Sequence, residues 1–567
     1  MQGSSESQPQ GNGRRKVKTG CKTCKARRVK CDESRPACRR CVSTGRVCNG
    51  YGIWGGGDNK SPVQCSQALS IHRTPVPETQ RGLTSDELMS FDWFREKTTK
   101  KLAGLFTSDF WETLVFQASV QEPAVRHAVV ALSAAHRSDF SHGPSAIAAR
   151  GPNAEQFMLQ NYNKAISYLR SASTSENAPD IRVILITCMI FVTLEYLRGH
   201  YTSGSSHLQY GIQLLSELSP HRSDSKTLPQ MSLNHTTQAT DFAHNALIDS
   251  YAQLTIQSAM FGIFPSHMCV TTHDQRICAQ PYNFKSIIEA RQPLDDLLHK
   301  VKCLKEDFHA AIETGSTIDH TAALATQAFI QQDLFAWRQA YDRLVASLQP
   351  IINLRDLAGS IIIRVYYEMA SVMAGVSLSE TEMAFDAYTD NFTAIIAGFH
   401  ELSRAWSLSN VQTPDPKPDM ESGNFHDRGF TIESGYIPPV YYTAMKCRIP
   451  QLRRQAIHAL RLMPRREGIW NGILLADVLD EVVGIEEGRP RPGDPNPASR
   501  DPASGGTENQ VFMTSVNESS RISDVKVLLS DTTDETQRDT YIGYKKMMLH
   551  GNWATCKQKI ERRAAVT

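Results

Sequence analysis

Cys21-Lys22-Thr23-Cys24-Lys25-Ala26-Arg27-Arg28-Val29-Lys30-Cys31 is followed seven residues later by Cys38-Arg39-Arg40-Cys41-Val42-Ser43-Thr44-Gly45-Arg46-Val47-Cys48, a second copy of the spacing C-x2-C-x6-C. Six of the thirteen cysteines of this 567-residue chain therefore lie in one short segment. Each copy supplies three thiolates, one short of the four a tetrahedral zinc takes, so neither copy closes a site alone. Two zinc ions need eight ligand positions. Six cysteines fill them when two thiolates bridge both metals, and the repeat symmetry points to the leading cysteines, Cys21 and Cys38. An all-thiolate site is closed and structural, so the metal is expected to build a shape and do no chemistry. Disulfides would need an oxidising compartment, and Met1 to Gly13 is polar with no apolar stretch of the kind a secretory signal carries.

The shape presents positive charge. Residues 1–50 hold thirteen Lys and Arg against Glu6, Asp32 and Glu33, while the remaining residues hold 48 basic and 56 acidic side chains, so the net charge of +2 hides a basic head on an acidic body. Such asymmetry points to a polyanionic partner for the head, because basic side chains that neutralise phosphates release condensed counterions. Cysteines at both ends of Lys25–Lys30 favour a turn or two of helix there. Arg27 and Arg28 are the expected base contacts, since guanidinium groups match the O6 and N7 acceptors of guanine in the major groove. Lys18, Lys22, Lys25 and Lys30 are expected to grip phosphates of double-stranded DNA, which positions a module without specifying sequence. Arg14, Arg15, Lys16 and Lys18 also suit a nuclear-import signal, which places the chain in the nucleus.

The stretch Gly20 to Asp32, with Arg35-Pro36-Ala37-Cys38-Arg39-Arg40-Cys41, resembles the DNA-binding domain of the fungal binuclear-zinc-cluster transcription factors. The resemblance implies that the helix after the second cysteine enters the major groove and that Arg27 and Arg28 read a CGG-type triplet. Lys25 departs from the arginine usual in the family. Further phrases resemble the fungal-specific regulatory domain that accompanies the cluster: Phe110-Trp111 through Glu122 to Ala128, Glu195 to Gly199 with His207 to Gly211, Pro438 to Tyr442, and Arg465 to Trp470. The two resemblances cover most of residues 14–488. They imply a regulator of RNA polymerase II genes, for instance a metabolic or secondary-metabolite gene set, working with transcription machinery or co-regulators.

The expected organisation is a disordered N-terminus at 1–13, the zinc cluster at 14–50, a flexible linker at 51–90 rich in Gly, Ser and Pro, a large all-α regulatory domain at 91–488, and a mostly disordered tail at 489–567. No run of apolar heptads follows the cluster, which leaves open whether the chain is a homodimer or a monomer. Between 91 and 488 apolar residues recur at helical spacing, as at Val125, Ala128, Val129, Leu132 and Ala135. Val183 to Leu194 is wholly apolar or neutral but too short to span a bilayer, which suits a buried helix, and no membrane partner is expected. Within the tail a short strand is expected at Val525 to Leu529 and an amphipathic end around Tyr541 to Ile560. Arg448, Arg453, Arg454, Arg465 and Arg466 are expected to form ion pairs on a solvated face.

No P-loop, nucleophile elbow or H-E-x-x-H pair is present, so the chain is not expected to be an enzyme. The alternative reading is a helical small-molecule receptor or scaffold that the basic cluster tethers to DNA without site selection.

Overall fold

The computed structural model describes residues 20–34, 37–46, 48, 83–106, 108–140, 152–173, 180–218, 239–263, 282–317, 319–348, 353–411, 429–462, 466–489, 516–529, 540–548 and 553–560. The expected disordered N-terminus, the basic run Arg14 to Lys18 and positions 51–82 of the linker lie outside these residues.

The cluster contains two short helices, α1 (Lys22–Ala26) and α2 (Arg39–Val42). Helices of one turn do not hold by themselves in water, and here each is pinned by a cysteine at its N-cap, as described below.

The body begins earlier than expected. Helix α3 (Ser85–Trp93) starts at a capping box in which Thr84 accepts from the Glu87 amide and Glu87 accepts from the Thr84 amide, so positions 83–90 belong to the body and not to the linker. The Thr-x-x-Glu signature was present in the sequence. The chain continues through α4 (Thr99–Leu102), α5 (Val115–Gln121), α6 (Pro123–Phe140), α7 (Pro152–Ser173), α8 (Ile181–Arg198), α9 (Tyr201–Leu218) and α10 (Ala239–Phe261). The apolar run expected to be buried is α8, and it is apolar on every face because α6 and α9 cover it. Asp180 caps its first turn and Gly199, at φ 78°, ends it in the left-handed conformation that glycine adopts without a Cβ clash.

A second group of long helices follows, α11 (Ile287–Thr314), α12 (His320–Leu348), α13 (Leu354–Gly375) and α14 (Thr389–Val411). Trp337 of α12 is fully buried and donates its indole N–H to the Ala290 carbonyl of α11 at 2.8 Å, fixing the register of the pair. By length and composition α13 could cross a membrane. It is instead enclosed in the body, 72% buried over its most apolar window, and packs against α11, α12, α14 and α15. The last helices, α15 (Ile437–Lys446), α16 (Pro450–Leu462) and α17 (Gly472–Glu487), close over a small sheet of β1 (Phe430–Thr431), β2 (Arg466–Glu467) and β3 (Trp470–Asn471).

The tail holds more structure than expected. Strands β4 (Ile522–Leu528), β5 (Tyr541–Met547) and β6 (Trp553–Lys559) form an antiparallel sheet in that order. The expected strand is the C-terminal part of β4, and the amphipathic end is the β5–β6 hairpin. Ile522, Val527, Ile542 and Tyr544 are buried and join the helical core. That burial orders a segment too polar in average composition to look like part of a core.

A buried charge network ties this sheet to the body. Arg448 contacts Glu382 at 3.0 Å and Glu486 at 2.8 Å, Arg453 contacts Glu486 at 2.6 Å, and the Ile522 amide donates to Glu486 at 3.0 Å. Arg521 forks onto Asp386 at 2.9 and 2.6 Å. The expectation of ion pairs holds for Arg448 and Arg453, but their face is buried and not solvated: their side chains are 2% and 1% exposed. Arg454 is half-exposed beside Glu487. Arg466 donates to the Leu197 carbonyl at 2.8 Å, and Arg465 lies outside the described residues.

Candidate metal centre and nucleic-acid interface

The two cysteine repeats fold as two copies of one local structure. Cys21 is the N-cap of α1 and its Sγ accepts the Cys24 amide at 3.3 Å; Cys38 is the N-cap of α2 and its Sγ accepts the Cys41 amide at 3.3 Å. The third cysteine of each copy folds back onto the first, Cys31 Sγ accepting from the Cys21 amide and Cys48 Sγ from the Cys38 amide, both at 3.4 Å. Val29 donates to the Cys24 carbonyl at 3.1 Å and Arg46 to the Cys41 carbonyl at 3.0 Å. Hydrogen bonds from backbone amides to sulfur stabilise thiolate over thiol.

These turns bring all six sulfurs together. Cys21, Cys24, Cys31 and Cys38 form one set whose sulfurs lie within 4.8 Å of one another, and Cys21, Cys38, Cys41 and Cys48 form a second. Cys21 and Cys38 belong to both. Four sulfurs around one zinc at about 2.3 Å are spaced by about 3.8 Å in a tetrahedron. Cys21–Cys38 and Cys24–Cys38 are 3.6 Å apart and Cys21–Cys41 3.8 Å, so the donor set fits. Burial pushes the Cys21, Cys24 and Cys38 thiols up, so ionising them in place calls for a cation, and a soft all-sulfur tetrahedral set suits zinc.

Around this centre the basic side chains face outward. Lys22, Arg28 and Lys30 are exposed, and Lys25 and Arg27 partly so. Arg27 reaches across to the second copy, its guanidinium donating to Thr44 Oγ1 at 3.4 Å. Arg28 ends α1 with φ at 56°. Arg39 and Arg40 are exposed on α2. Lys18 and the rest of the expected import run lie outside the described residues.

Sequence reading missed Asp32. Its carboxylate accepts the amides of Arg39 and Arg40, each at 2.9 Å, and the Ser34 hydroxyl, so the loop leaving the first copy caps the helix of the second. Hydrogen bonds from Ser34 first, then the Arg40 and Arg39 amides, hold this carboxyl well below the usual carboxylate range. The only signal in the sequence was an acidic pair, Asp32-Glu33, among basic residues, shortly before a cysteine that opens a helix.

Residues 19–53 match the family described as the fungal Zn(2)-Cys(6) binuclear cluster domain, and residues 92–370 match the fungal specific transcription factor domain. The chain is 26% identical to the aspercryptin biosynthesis cluster-specific transcription regulator atnN of Emericella nidulans, over 86% of this chain and 91% of that one. It is 30% identical to the transcription regulator lscL of Purpureocillium lilacinum, over 34% of this chain and 47% of that protein. It is 35% identical to the transcriptional regulatory protein moc3 of Schizosaccharomyces pombe, over 14% and 16% of the two chains. No solved structure matches. The cysteine geometry, the two domain matches and the near full-length relative agree: this chain belongs to the fungal Zn(2)-Cys(6) binuclear-cluster transcription regulators, DNA-binding proteins whose cluster holds two zinc ions.

Proposed function

We propose that the chain is a nuclear, sequence-specific regulator of RNA polymerase II genes whose cluster reads a CGG-like triplet in the major groove. Cys21, Cys24, Cys31 and Cys38 hold one zinc, Cys21, Cys38, Cys41 and Cys48 hold the other, and Cys21 and Cys38 bridge. Zinc supplies shape: it fixes the angle at which α1 leaves the cluster. Arg27 and Arg28 then meet base edges, while Lys22, Lys25 and Lys30, with Lys18 before them, meet phosphates. The chain itself does no catalysis.

The observation that carries this reading is the joint membership of Cys21 and Cys38 in both sulfur sets, because that sharing makes one rigid unit of the two halves with α1 on its outside. The long match to a regulator named for aspercryptin biosynthesis favours a secondary-metabolite gene set as the target.

Selection of sites from random duplex DNA, with the zinc-loaded full-length protein at fixed salt, tests it. Enrichment of CGG-type triplets is expected. One triplet per site indicates a monomer, and two at one fixed spacing indicate a homodimer recruiting its partners through the helical body. Retained binding with no enriched sequence would overturn base reading and favour the body as the principal actor.

A further inference from the structure

Between α10 and α11 the body holds a partly open cavity of about 120 Å³, lined by Phe106, Phe110 and Ile288 among others. That is well under the 300 Å³ at which drug-sized pockets begin. An occupant has few heavy atoms.

The cavity is strongly acidic: Asp109, Asp249, Asp295, Asp296 and Glu433 line it against a single cation, Arg291. Arg291 is already engaged, 2.7 Å from Glu433, 3.6 Å from Asp295 and stacked 4.3 Å from the centre of the Phe106 ring. It therefore offers nothing to an anion. Asp249 is hydrogen-bonded to the neutral Gln292 amide at 2.9 Å, and the charges that bear on it, Asp296 and Asp109, are both negative. A carboxylate in low-dielectric surroundings with no cation nearby is costly. Among the described residues, no three of these carboxylates bring ligand atoms within 4.8 Å of one another, as the cysteine sets do. Beside the cavity lies a smaller hollow that shares Phe106, Arg291 and Asp295 with it; there the Tyr366 hydroxyl, 92% of its residue surface covered, makes no hydrogen bond of good geometry.

We propose that this cavity binds a small alkylammonium ion, its ammonium group against Asp249 within the field of Asp109 and Asp296, and its short stem between the Phe106 and Phe110 rings and Ile288. Tyr366 supplies a second polar end for an amine that carries one. The site is independent of the cluster and of DNA reading.

Calorimetric titration of the zinc-loaded full-length chain with 1,4-diaminobutane, at constant ionic strength, tests this. Saturable binding is expected, with 1,4-butanediol and succinate inert and Asp249→Asn weakening affinity at least tenfold. Glu96→Gln, on an exposed acid of the body, should leave the affinity unchanged and so separates a site from general attraction to an acidic protein. Circular dichroism and the melting temperature of Asp249→Asn show whether it is folded; should it not be, Phe110→Ala, which removes a wall and no charge, replaces it. No saturable binding, equal binding by Asp249→Asn, or Mg2+ matching the diamine at equal concentration would each overturn the proposal.

Discussion

Arg28 and Gly45 occupy the same position in the two halves of the cluster, the last residue of the turn that follows each helix, and both have left-handed backbone, at φ 56° and 64°. The donated bonds match as well, Arg28 to the Lys25 carbonyl and Gly45 to the Val42 carbonyl, both at 3.0 Å. Glycine adopts this conformation freely, whereas a side chain there costs about 1–2 kcal/mol. The first half thus carries an arginine in a conformation that costs it energy where the second half carries glycine.

Arg28→Gly consequently separates shape from reading. The cluster should retain both zinc ions and resist denaturant as well as or better than the parent. The gain should be at most about 1 kcal/mol, because glycine also loosens the unfolded chain. Preference for one DNA sequence should fall by tenfold or more, and the slope of binding against salt should flatten by roughly one phosphate contact or less. Unchanged selectivity in competition against random duplex would remove Arg28 from base reading.

Asp32 couples the halves through the Arg39 and Arg40 amides. In Asp32→Ala the first turn of α2 loses its acceptor, and the second sulfur set, which includes Cys41 and Cys48, is expected to release zinc to a chelator severalfold faster than the first. Asp32→Asn should fall between the two, since an amide oxygen caps without charge. Equal release from both sets in Asp32→Ala would show that the cap does not hold the second half.

How much of this was legible in the sequence depends on how local each signal is. The C-x2-C-x6-C spacing is complete within one repeat, and Val183 to Leu194 of α8 carries no charge, so both could be read directly. The left-handed turn at Arg28 could not, because an arginine in a basic run gives no sign of positive φ. The C-terminal sheet was hidden for another reason: the register shift between Ser523 and Lys526, with Asp524 at φ 49°, breaks the alternation that announces a strand. Arg448 and Arg453 looked like surface residues because their shared partner, Glu486, lies more than thirty positions away.

Arg448→Met tests that junction. Removing one member of a buried ion pair leaves charge without its counterion and costs about 3–5 kcal/mol. Glu382 keeps Lys446 at 2.7 Å and Glu486 keeps Arg453, so the low end is expected. Hydrogen exchange should rise first at Ile522 and along β4, whose first amide bonds to Glu486. The double change Arg448→Met with Glu382→Gln should recover part of the loss. Uniform exchange across the body, with β4 no faster than α8, would show that the network does not hold the sheet.

The acidic cavity makes stability depend on pH in a definite direction. Burial, then the charges of Asp296 and Asp109, push the Asp249 carboxyl up to about 7. Burial, opposed by Arg291 and reinforced by Asp296, Glu433 and Asp249, pushes Asp295 up to about 7 as well. Gln292 is the neutral neighbour of Asp249 and supplies no charge. A carboxyl whose pKa is higher folded than unfolded binds more protons in the folded state, so its contribution is fully present below about pH 4 and is lost as pH rises to about 7. Asp249→Asn removes that dependence at one site. Its unfolding free energy from urea titration should match the parent near pH 4.5 and exceed it at pH 7.5 by on the order of 1 kcal/mol, the partial exposure of the site keeping the figure small. An offset that is the same at both pH values would mean that the substitution acts through packing and not through charge. A parent that gains the missing stability at pH 7.5 when 1,4-diaminobutane is added, while the variant does not, would tie the titration and the ligand to the same carboxylate.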